Sequence, residues 1–166
     1  MREKIAKTPE QALETLRWLC AKMERCESDA VRSLYRWGVE KQHHREILDK
    51  LVAEKFIDQN RYARGYISEK LAAGNWGRSK IAYALNAKGI EKEIIESTLQ
   101  ELIKPGQMSS TLERSLRQKY KKECITGKTP WEIRTRLVRW ASARGFEYDQ
   151  IINIITEITH IDEDEI

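Results

Sequence analysis

The segment "WGRSKIAYALNAKGIEKEIIESTL", from Trp76 to Leu99, decides the fold of this chain. Its apolar residues recur at every third or fourth position, which is the period of an amphipathic helix. Lys88-Gly89-Ile90 interrupts that period, and a second apolar run follows. Glycine adopts the left-handed conformation that ends many helices at little cost. The segment therefore predicts two helices separated by a turn at Gly89.

The same pattern occurs three times along the chain. Gly38, Gly89 and Gly145 are each followed by an apolar residue, and they stand 51 and 56 residues apart. Apolar or small residues precede each glycine by four and eight positions and follow it by ten and thirteen. In chain order these are Ala30, Leu34, Leu48, Leu51; Ile81, Leu85, Leu99, Leu102; Leu137, Ala141, Ile155 and Ile158. An internal repeat of this length indicates stacked copies of one supersecondary unit.

Each copy is predicted to contain three helices. Thr8-Pro9-Glu10-Gln11 and Thr129-Pro130-Trp131-Glu132 have the residues of a capped helix start, and Asp58 can cap the helix that follows it. The predicted helices cover 8–24, 27–37, 41–55, 59–73, 77–87, 91–103, 109–123, 130–143 and 148–159. We expect an all-α fold of three tandem three-helix (helix-turn-helix-like) repeats forming an elongated curved rod. The expected repeats are 8–57, 58–104 and 108–159, followed by an acidic tail at 160–166.

The composition is that of a folded protein without membrane helices. Of 166 residues, 40% are hydrophobic and 34% charged, and only three are proline. No apolar run approaches the roughly 20 residues of a membrane helix, and the first residues lack the apolar core of a secretory signal. The three cysteines, Cys20, Cys26 and Cys124, form no CxxC pair and are interpreted as reduced thiols. We therefore expect a cytoplasmic protein.

Positive charge is concentrated in one part of the chain. The net charge is +4, but residues 112–144 contain ten Lys or Arg against three Glu, whereas the chain ends in "DEDEI". A basic body of this kind suggests a polyanionic partner or an acidic protein surface. A solvated helical face is the other interpretation, and the charge alone does not decide between them.

Basic residues repeat at matching positions of the second and third copies. When the glycines are aligned, Arg78, Lys80 and Lys88 coincide with Arg134, Arg136 and Arg144, whereas the first copy has Glu27 and Trp37 at two of these positions. Residues two positions from an apolar helix position lie off the core face, so we expect both N-terminal pairs to be exposed. Helix starts with such residues can bind phosphates. Alternatively, Arg and Lys serve only as good helix formers whose stems cover apolar surface.

No catalytic or metal-binding pattern is found. His43 and His44 have no partner ligands at a suitable spacing, even with Cys20 and Cys26 considered. Neither a nucleophilic triad nor a glycine-rich phosphate loop can be named. The five tryptophans, Trp18, Trp37, Trp76, Trp131 and Trp140, are expected to pack in the core, between repeats or, for Trp76, against the helix after its loop. We predict a protein that is not an enzyme and needs neither metal nor cofactor.

The central block resembles the RecX family. The residues that carry the resemblance are Phe56-Ile57-Asp58, Arg61-Tyr62-Ala63, Trp76-Gly77, Lys80-Ile81, Leu85 and Lys88-Gly89-Ile90, and "RLVRWASARGFEYDQIINII" resembles the last unit of the family. The resemblance extends over about residues 12–158. It implies nine helices in three repeats and a regulator that binds RecA–DNA filaments in their helical groove. It further implies inhibition of RecA recombinase and ATPase activity in DNA repair and the SOS response, with weak direct DNA binding.

The predicted site follows from the repeated charges and the resemblance together. Predicted partner- or DNA-binding residues are Arg61, Arg64, Lys70, Arg78, Lys80, Lys88, Arg134, Arg136, Arg139 and Arg144. Predicted structural residues are Asp58, Trp76, Gly77, Ile81, Leu85, Gly89, Ile90 and Gly145. The expected partner is the RecA filament on single-stranded DNA, and a monomer suffices for binding. The alternative is an autonomous helical DNA-binding module that acts through phosphate contacts without RecA.

Overall fold

All regular structure in the described part of the chain is helical. The structure is a computed structural model, and it describes residues 6–159. Within them lie nine helices and no strand: α1 Pro9–Lys22, α2 Glu27–Arg36, α3 Lys41–Ala53, α4 Gln59–Ala73, α5 Arg78–Ala87, α6 Lys92–Leu102, α7 Gln107–Cys124, α8 Pro130–Ser142 and α9 Tyr148–Thr159. Every predicted helix is found, with ends shifted by at most two residues, which confirms the all-α prediction. None of the described helices is long and apolar enough to span a membrane.

The helix starts predicted from sequence are confirmed. The side chains of Thr8 and Thr129 each accept a hydrogen bond from the backbone N–H three residues later. In turn, the side chains of Gln11 and Glu132 each accept a hydrogen bond from the backbone N–H of that threonine. Asp58 Oδ1 accepts from the N–H of Arg61 at 2.9 Å. These bonds satisfy N–H groups that a helix leaves unpaired at its start, so each boundary follows from local chemistry.

The three aligned glycines end their helices in the same way. Gly38, Gly89 and Gly145 have φ of 72°, 81° and 75°. The next N–H donates back to the carbonyl five residues earlier, in the bonds Val39–Leu34, Ile90–Leu85 and Phe146–Ala141. This is the pattern of the Schellman motif. The acceptor carbonyls belong to the apolar residues that the alignment placed four before each glycine, so the repeated sequence pattern encodes a repeated helix end.

The described chain divides into two compact units. One comprises residues up to Tyr66 together with Leu85–Thr98, and the other comprises Ile67–Ala84 together with residues from Leu99 onward. The boundaries of these units do not coincide with those of the repeated pattern, so the repeat bounds stay a prediction. The acidic tail predicted at 160–166 lies outside the described residues.

The first unit has its core between α1, α2 and α3. The buried side chains are Ala12, Leu16, Cys20, Ala30, Leu34, Val39, Ile47, Leu48, Leu51 and Ile57. Trp37 packs against this core from its edge, as predicted. Leu34, Leu48 and Leu51 belong to the repeated apolar set, so the alignment identified core positions.

The second unit has an equivalent core between α7, α8 and α9. It contains Leu112, Leu116, Ile133, Leu137, Ala141, Phe146, Ile151, Ile154, Ile155 and Ile158, with Trp140 packed against it as predicted. Ile81, in the same unit, is fully buried, and Leu85 and Ile90 of the first unit are buried as well. All three side chains are thus shielded from solvent, and their structural roles stay a prediction.

We predict that Gly89→Ala destabilises the protein by about 1–2 kcal/mol, because a Cβ strains a left-handed backbone. The space around Gly89 is open, so the strain is purely conformational. Gly65→Ala is the matched control: Gly65 lies inside α4 with no atom near its added Cβ, and Ala favours a helix. Thermal unfolding should show a lower Tm for Gly89→Ala only. An unchanged Tm for that variant would contradict the cap assignment.

Candidate functional site

The N-terminus of α5 is bonded directly to the C-terminal end of α8. The N–H of Gly77 donates to the carbonyl of Arg144 at 2.7 Å, and the N–H of Ser79 donates to the carbonyl of Gly145 at 3.3 Å. A helix N-terminus has unpaired N–H groups and a helix C-terminus has unpaired carbonyls, so the two ends satisfy one another. We call this contact, formed by Gly77, Ser79, Lys80, Arg144 and Gly145, the glycine seam.

Glycine is required on both sides of the seam. A Cβ on Gly77 would lie 2.3 Å from the carbonyl oxygen of Gly145, and a Cβ on Gly145 would lie 2.3 Å from the nitrogen of Lys80. Real side chains do not approach backbone atoms so closely. The structural roles predicted for Gly77 and Gly145 thus have a specific cause: two backbone segments approach each other so closely that neither position has room for a side chain. The sequence did not show this approach.

Lys80 belongs to the seam through its side chain. Its Nζ donates to the carbonyl of Ala143 at 3.0 Å and lies 4.8 Å from the centre of the Trp76 ring. A cation at the C-terminal end of α8 interacts favourably with the helix dipole. Lys70 approaches the same ring, at 5.3 Å. Trp76 therefore holds two ammonium groups beside the seam, and Lys80 has a structural contact whatever else it binds.

Arg144, on the other side of the seam, is also engaged. Its guanidinium lies 3.9 Å from the centre of the Trp140 ring, and Nη1 donates to the carbonyl of Trp140 at 3.2 Å. The stacking orders the side chain at the end of α8 while leaving it partly exposed. Lys80 and Arg144, which were predicted from different copies, are thus brought together.

Lys88 lies in an ion pair within the first unit. Its Nζ contacts the two carboxylate oxygens of Asp29 at 3.0 and 3.3 Å, and the Tyr62 hydroxyl lies 3.5 Å from the same carboxylate. Burial alone would lower the pKa of Lys88, but hydrogen bonds with Asp29 and Tyr62 outweigh it and raise that pKa. Burial also raises the pKa of Tyr62 to about 12. A binding role for Lys88 stays a prediction, and it would require this pair to open.

The prediction that both residues of the α8 pair are exposed is wrong for Arg134. Only 6% of Arg134 is accessible, and its Nη1 lies 3.4 Å from Oγ1 of Thr156, because this position of α8 faces α9. Arg136 is exposed, as expected, and lies 3.8 Å from Glu123. Arg134 stands three residues before Leu137 and seven before Ala141, so the helical period places it on their face, and the prediction of exposure overlooked this spacing.

The carboxylate of Glu123 is an internal anchor for cations of the second unit. It is buried and lies 2.8 Å from Lys119, 3.2 Å from Lys128 and 3.8 Å from Arg136. The hydrogen bond from Lys119 lowers the pKa of this carboxyl, as does Lys128, against a smaller opposing effect of burial. Three of the ten basic residues counted in residues 112–144 therefore share one carboxylate.

The remaining predicted residues lie in different surroundings. Arg61 is paired with Glu24, and Lys70 with Glu69. Arg64 and Arg139 are exposed, and Arg78 is half-buried in a groove that Gly145 and Phe146 also line. Within the second unit the structure therefore gathers Arg78, Lys80 and Arg144 at the seam and places Arg134, Arg136 and Arg139 along α8.

Two surface features were missed by the sequence analysis. Arg114, Arg117 and Lys121 are exposed along one side of α7, at the spacing i, i+3, i+7 that could have revealed them. Trp18 and Trp131 are 55% and 60% exposed, so the packing prediction is wrong for both. Each lies two residues from a buried position of its helix, which turns the ring away from the core.

The histidine pair has a structural explanation. His44 is buried, its Nε2 lies 2.9 Å from the carbonyl of Val39, and its ring meets Tyr35 edge-on at 4.7 Å. Across residues 6–159 no group of three or more His, Cys, Asp or Glu side chains is arranged to hold a metal ion.

We predict that Gly77→Ala disrupts the glycine seam, because the added Cβ collides with a backbone oxygen that cannot move independently. The loss should reach about 2 kcal/mol or more, since two backbone hydrogen bonds weaken. Hydrogen exchange should accelerate at the amides of Gly77 and Ser79. Gly65→Ala again serves as the control, and protection equal to wild type at both amides would refute the seam.

We predict that the Asp29–Lys88 pair makes stability depend on pH. Burial would raise the pKa of Asp29, but hydrogen bonds from Lys88 and Cys26 outweigh it and lower that pKa below its ordinary 3.8. The carboxylate therefore stabilises the fold above pH 3.8, and this contribution is lost as pH falls through the lowered pKa. The contribution of Lys88 is present below its ordinary pKa of 10.5 and is lost as pH rises through its raised pKa.

Asp29→Asn should accordingly lower the Tm at pH 7, and the difference from wild type should shrink as pH falls below about 4. Unfolding of both proteins between pH 3 and pH 8 measures this. Asp49→Asn is the control, because Asp49 pairs with Arg45 on the exposed side of α3. A Tm difference that is the same at pH 3 and pH 7 would contradict the pair's contribution.

Known proteins similar to this chain share one family name. A family model described as "RecX, second three-helix domain" matches residues 58–99. The Regulatory protein RecX of Streptococcus agalactiae serotype V is 27% identical over 143 residues, which are 86% of this chain and 53% of that protein. The chain thus spans about half the length of that relative. The Regulatory protein RecX of Pseudomonas syringae pv. tomato is 24% identical over 154 residues, which are 92% of this chain and 94% of that protein.

The fold is similar to a solved structure as well. The crystal structure of RecX from Lactobacillus salivarius matches with a TM-score of 0.72 at 19% identity, covering 92% of this chain and 97% of that one. The region matched by the family model contains Asp58, Trp76-Gly77, Lys80 and Lys88-Gly89, whose roles in helix capping, in the seam and in the ion pair are described above. These matches confirm that the chain resembles the RecX family in sequence and in fold.

Proposed function

We propose that this chain regulates RecA by binding RecA–DNA filaments and inhibiting their ATPase and recombinase activity. The observation that carries the proposal is the match of residues 58–99 to the second three-helix domain of RecX, together with relatives named regulatory proteins. The family resemblance implies the filament as partner and a role in DNA repair and the SOS response. Such a role places the protein in the cytoplasm and needs no catalytic group of its own.

The charge of the second unit supports a partner that contains phosphate. Arg136 and Arg139 are exposed on α8, and Arg114, Arg117 and Lys121 are exposed on α7. Guanidinium and ammonium groups bind phosphate oxygens and fix orientation without reading sequence. A nucleoprotein filament presents phosphate at regular intervals, so exposed cations on helices suit it.

The contact residues are best tested at exposed cations; when Arg136 is changed, Glu123 still has Lys119 and Lys128 at 2.8 and 3.2 Å. Lys80 and Arg144 are engaged at the seam and Arg134 is buried, so changing them would damage the fold as well as the surface. We propose Arg136 and Arg139 as contacts, because both project from α8 into solvent. Lys41, at the start of α3 and also exposed, supplies the control.

The test measures ATP hydrolysis by RecA assembled on single-stranded DNA while this protein is titrated from sub-stoichiometric amounts. Binding to bare DNA is measured in the same buffer. Inhibition well below the concentration that coats the DNA supports filament regulation. Inhibition only at DNA saturation, with a steep loss of affinity as salt rises, supports the autonomous DNA-binding module instead.

We predict that Arg136→Gln/Arg139→Gln raises the half-inhibitory concentration about tenfold or more, because two charge-assisted bonds are lost. Lys41→Gln should inhibit like wild type, and the helical circular dichroism of both variants should be unchanged. Full inhibition by the double variant would exclude this face as the contact.

A further inference from the structure

A groove on the second unit combines aromatic rings with positive charge. Trp131, Arg134, Thr135, Val138 and Arg139 of α8 line it together with Tyr148 and Ile152 of α9, around a volume of about 570 Å³. The α8 residues follow the spacing i, i+3, i+4, i+7, i+8 and the α9 residues are four apart, so each helix presents one continuous stripe. We call it the aromatic groove.

The rim and the floor of the aromatic groove differ in character. Trp131 and Tyr148 are 60% and 62% exposed, which leaves their ring surfaces accessible on the rim. Ile152 and Arg134 form the floor, with 9% and 6% exposed. Exposed aromatic side chains that are grouped at one groove mark an interaction site more often than scattered single ones do.

Charge in the aromatic groove is of one sign. Among its seven lining residues are two arginines and no carboxylate. Arg139 is exposed and forms no ion pair with any residue of the described chain. The nearby carboxylate of Glu132 is engaged at the start of α8, where Oε2 accepts from the N–H and the hydroxyl of Thr129 at 2.8 and 2.9 Å. The groove therefore favours an anionic ligand.

We propose that the aromatic groove binds single-stranded nucleic acid, with bases stacked on Trp131 and Tyr148 and a backbone phosphate held by Arg139. An unpaired nucleic-acid strand presents bases and phosphates in alternation, and every base exposes a face that can stack on an aromatic side chain. An acidic peptide fits less well, because an arginine in the floor leaves no deep apolar pocket for an anchor side chain. The inference rests on the proposed function in one respect: it names the place where the proposed regulator contacts DNA.

The test is the affinity of the whole protein for a dye-labelled dT20 oligonucleotide, measured by fluorescence anisotropy at fixed salt. Trp131→Ala and Tyr148→Ala should each weaken binding by roughly five-fold or more, the usual effect of removing one stacking ring. Trp131→Phe should retain most of the affinity. Binding to a duplex should change much less, because its bases are already stacked on each other.

Trp18→Ala is the matched control, since Trp18 is also an exposed tryptophan with a lysine, Lys22, 3.6 Å from its ring centre, but lies on α1 of the first unit. It should bind dT20 like wild type, and all variants should melt at the wild-type temperature. Unchanged dT20 binding by Trp131→Ala and Tyr148→Ala would overturn the proposal.

The same variants separate this proposal from the proposed function. Inhibition of RecA by wild type combined with unchanged dT20 binding by Trp131→Ala would leave filament regulation standing and refute the aromatic groove as a nucleic-acid site. If those variants instead lose only inhibition, the groove receives protein, which also overturns the proposal. Weakened dT20 binding without any RecA inhibition by wild type would support the groove and refute the proposed function.

Discussion

The contact on which the second unit depends joins the amides of Gly77 and Ser79, at the start of α5, to the carbonyls of the two residues Arg144 and Gly145 that follow the end of α8. Each helix end has polar backbone groups that must find partners, and here the bonded residues are 67 and 66 positions apart in sequence. Two glycines make the approach possible, and Lys80 adds its ammonium to the same carbonyl cluster through Ala143. The family motif Trp76-Gly77 and the aligned Gly145 are thus two halves of one contact.

This contact changes the interpretation of the repeated basic residues. Repetition of sign suggested a single binding face, yet Lys80 and Arg144 stabilise the seam region, Lys88 is paired with Asp29, and Arg134 lies under α9. Internal stabilisation of helix ends is therefore one cause of the repetition. Arg136 and Arg139 are the members of the α8 set that remain in solvent.

The helices and their ends could be predicted because their causes are local. Thr8, Asp58 and Thr129 cap the residues that follow them, and Gly38, Gly89 and Gly145 end helices through bonds within six residues. The Asp29–Lys88 pair and the groove lined by Trp131 and Tyr148 could not be predicted, because each depends on which distant helices meet. The Tyr148 ring opposite Trp131 is invisible to any pattern within one helix.

The glycine seam also determines how the chain can vary in length. One residue inserted in α8 would rotate its final carbonyls by about 100° and advance them by about 1.5 Å, so neither would meet the amides of Gly77 and Ser79. The connection at Lys104-Pro105-Gly106 has no helical register to keep, and its three residues are exposed. Insertions and deletions among relatives of this chain should therefore collect in that connection, whereas α5 and α8 keep a constant length relative to their glycines.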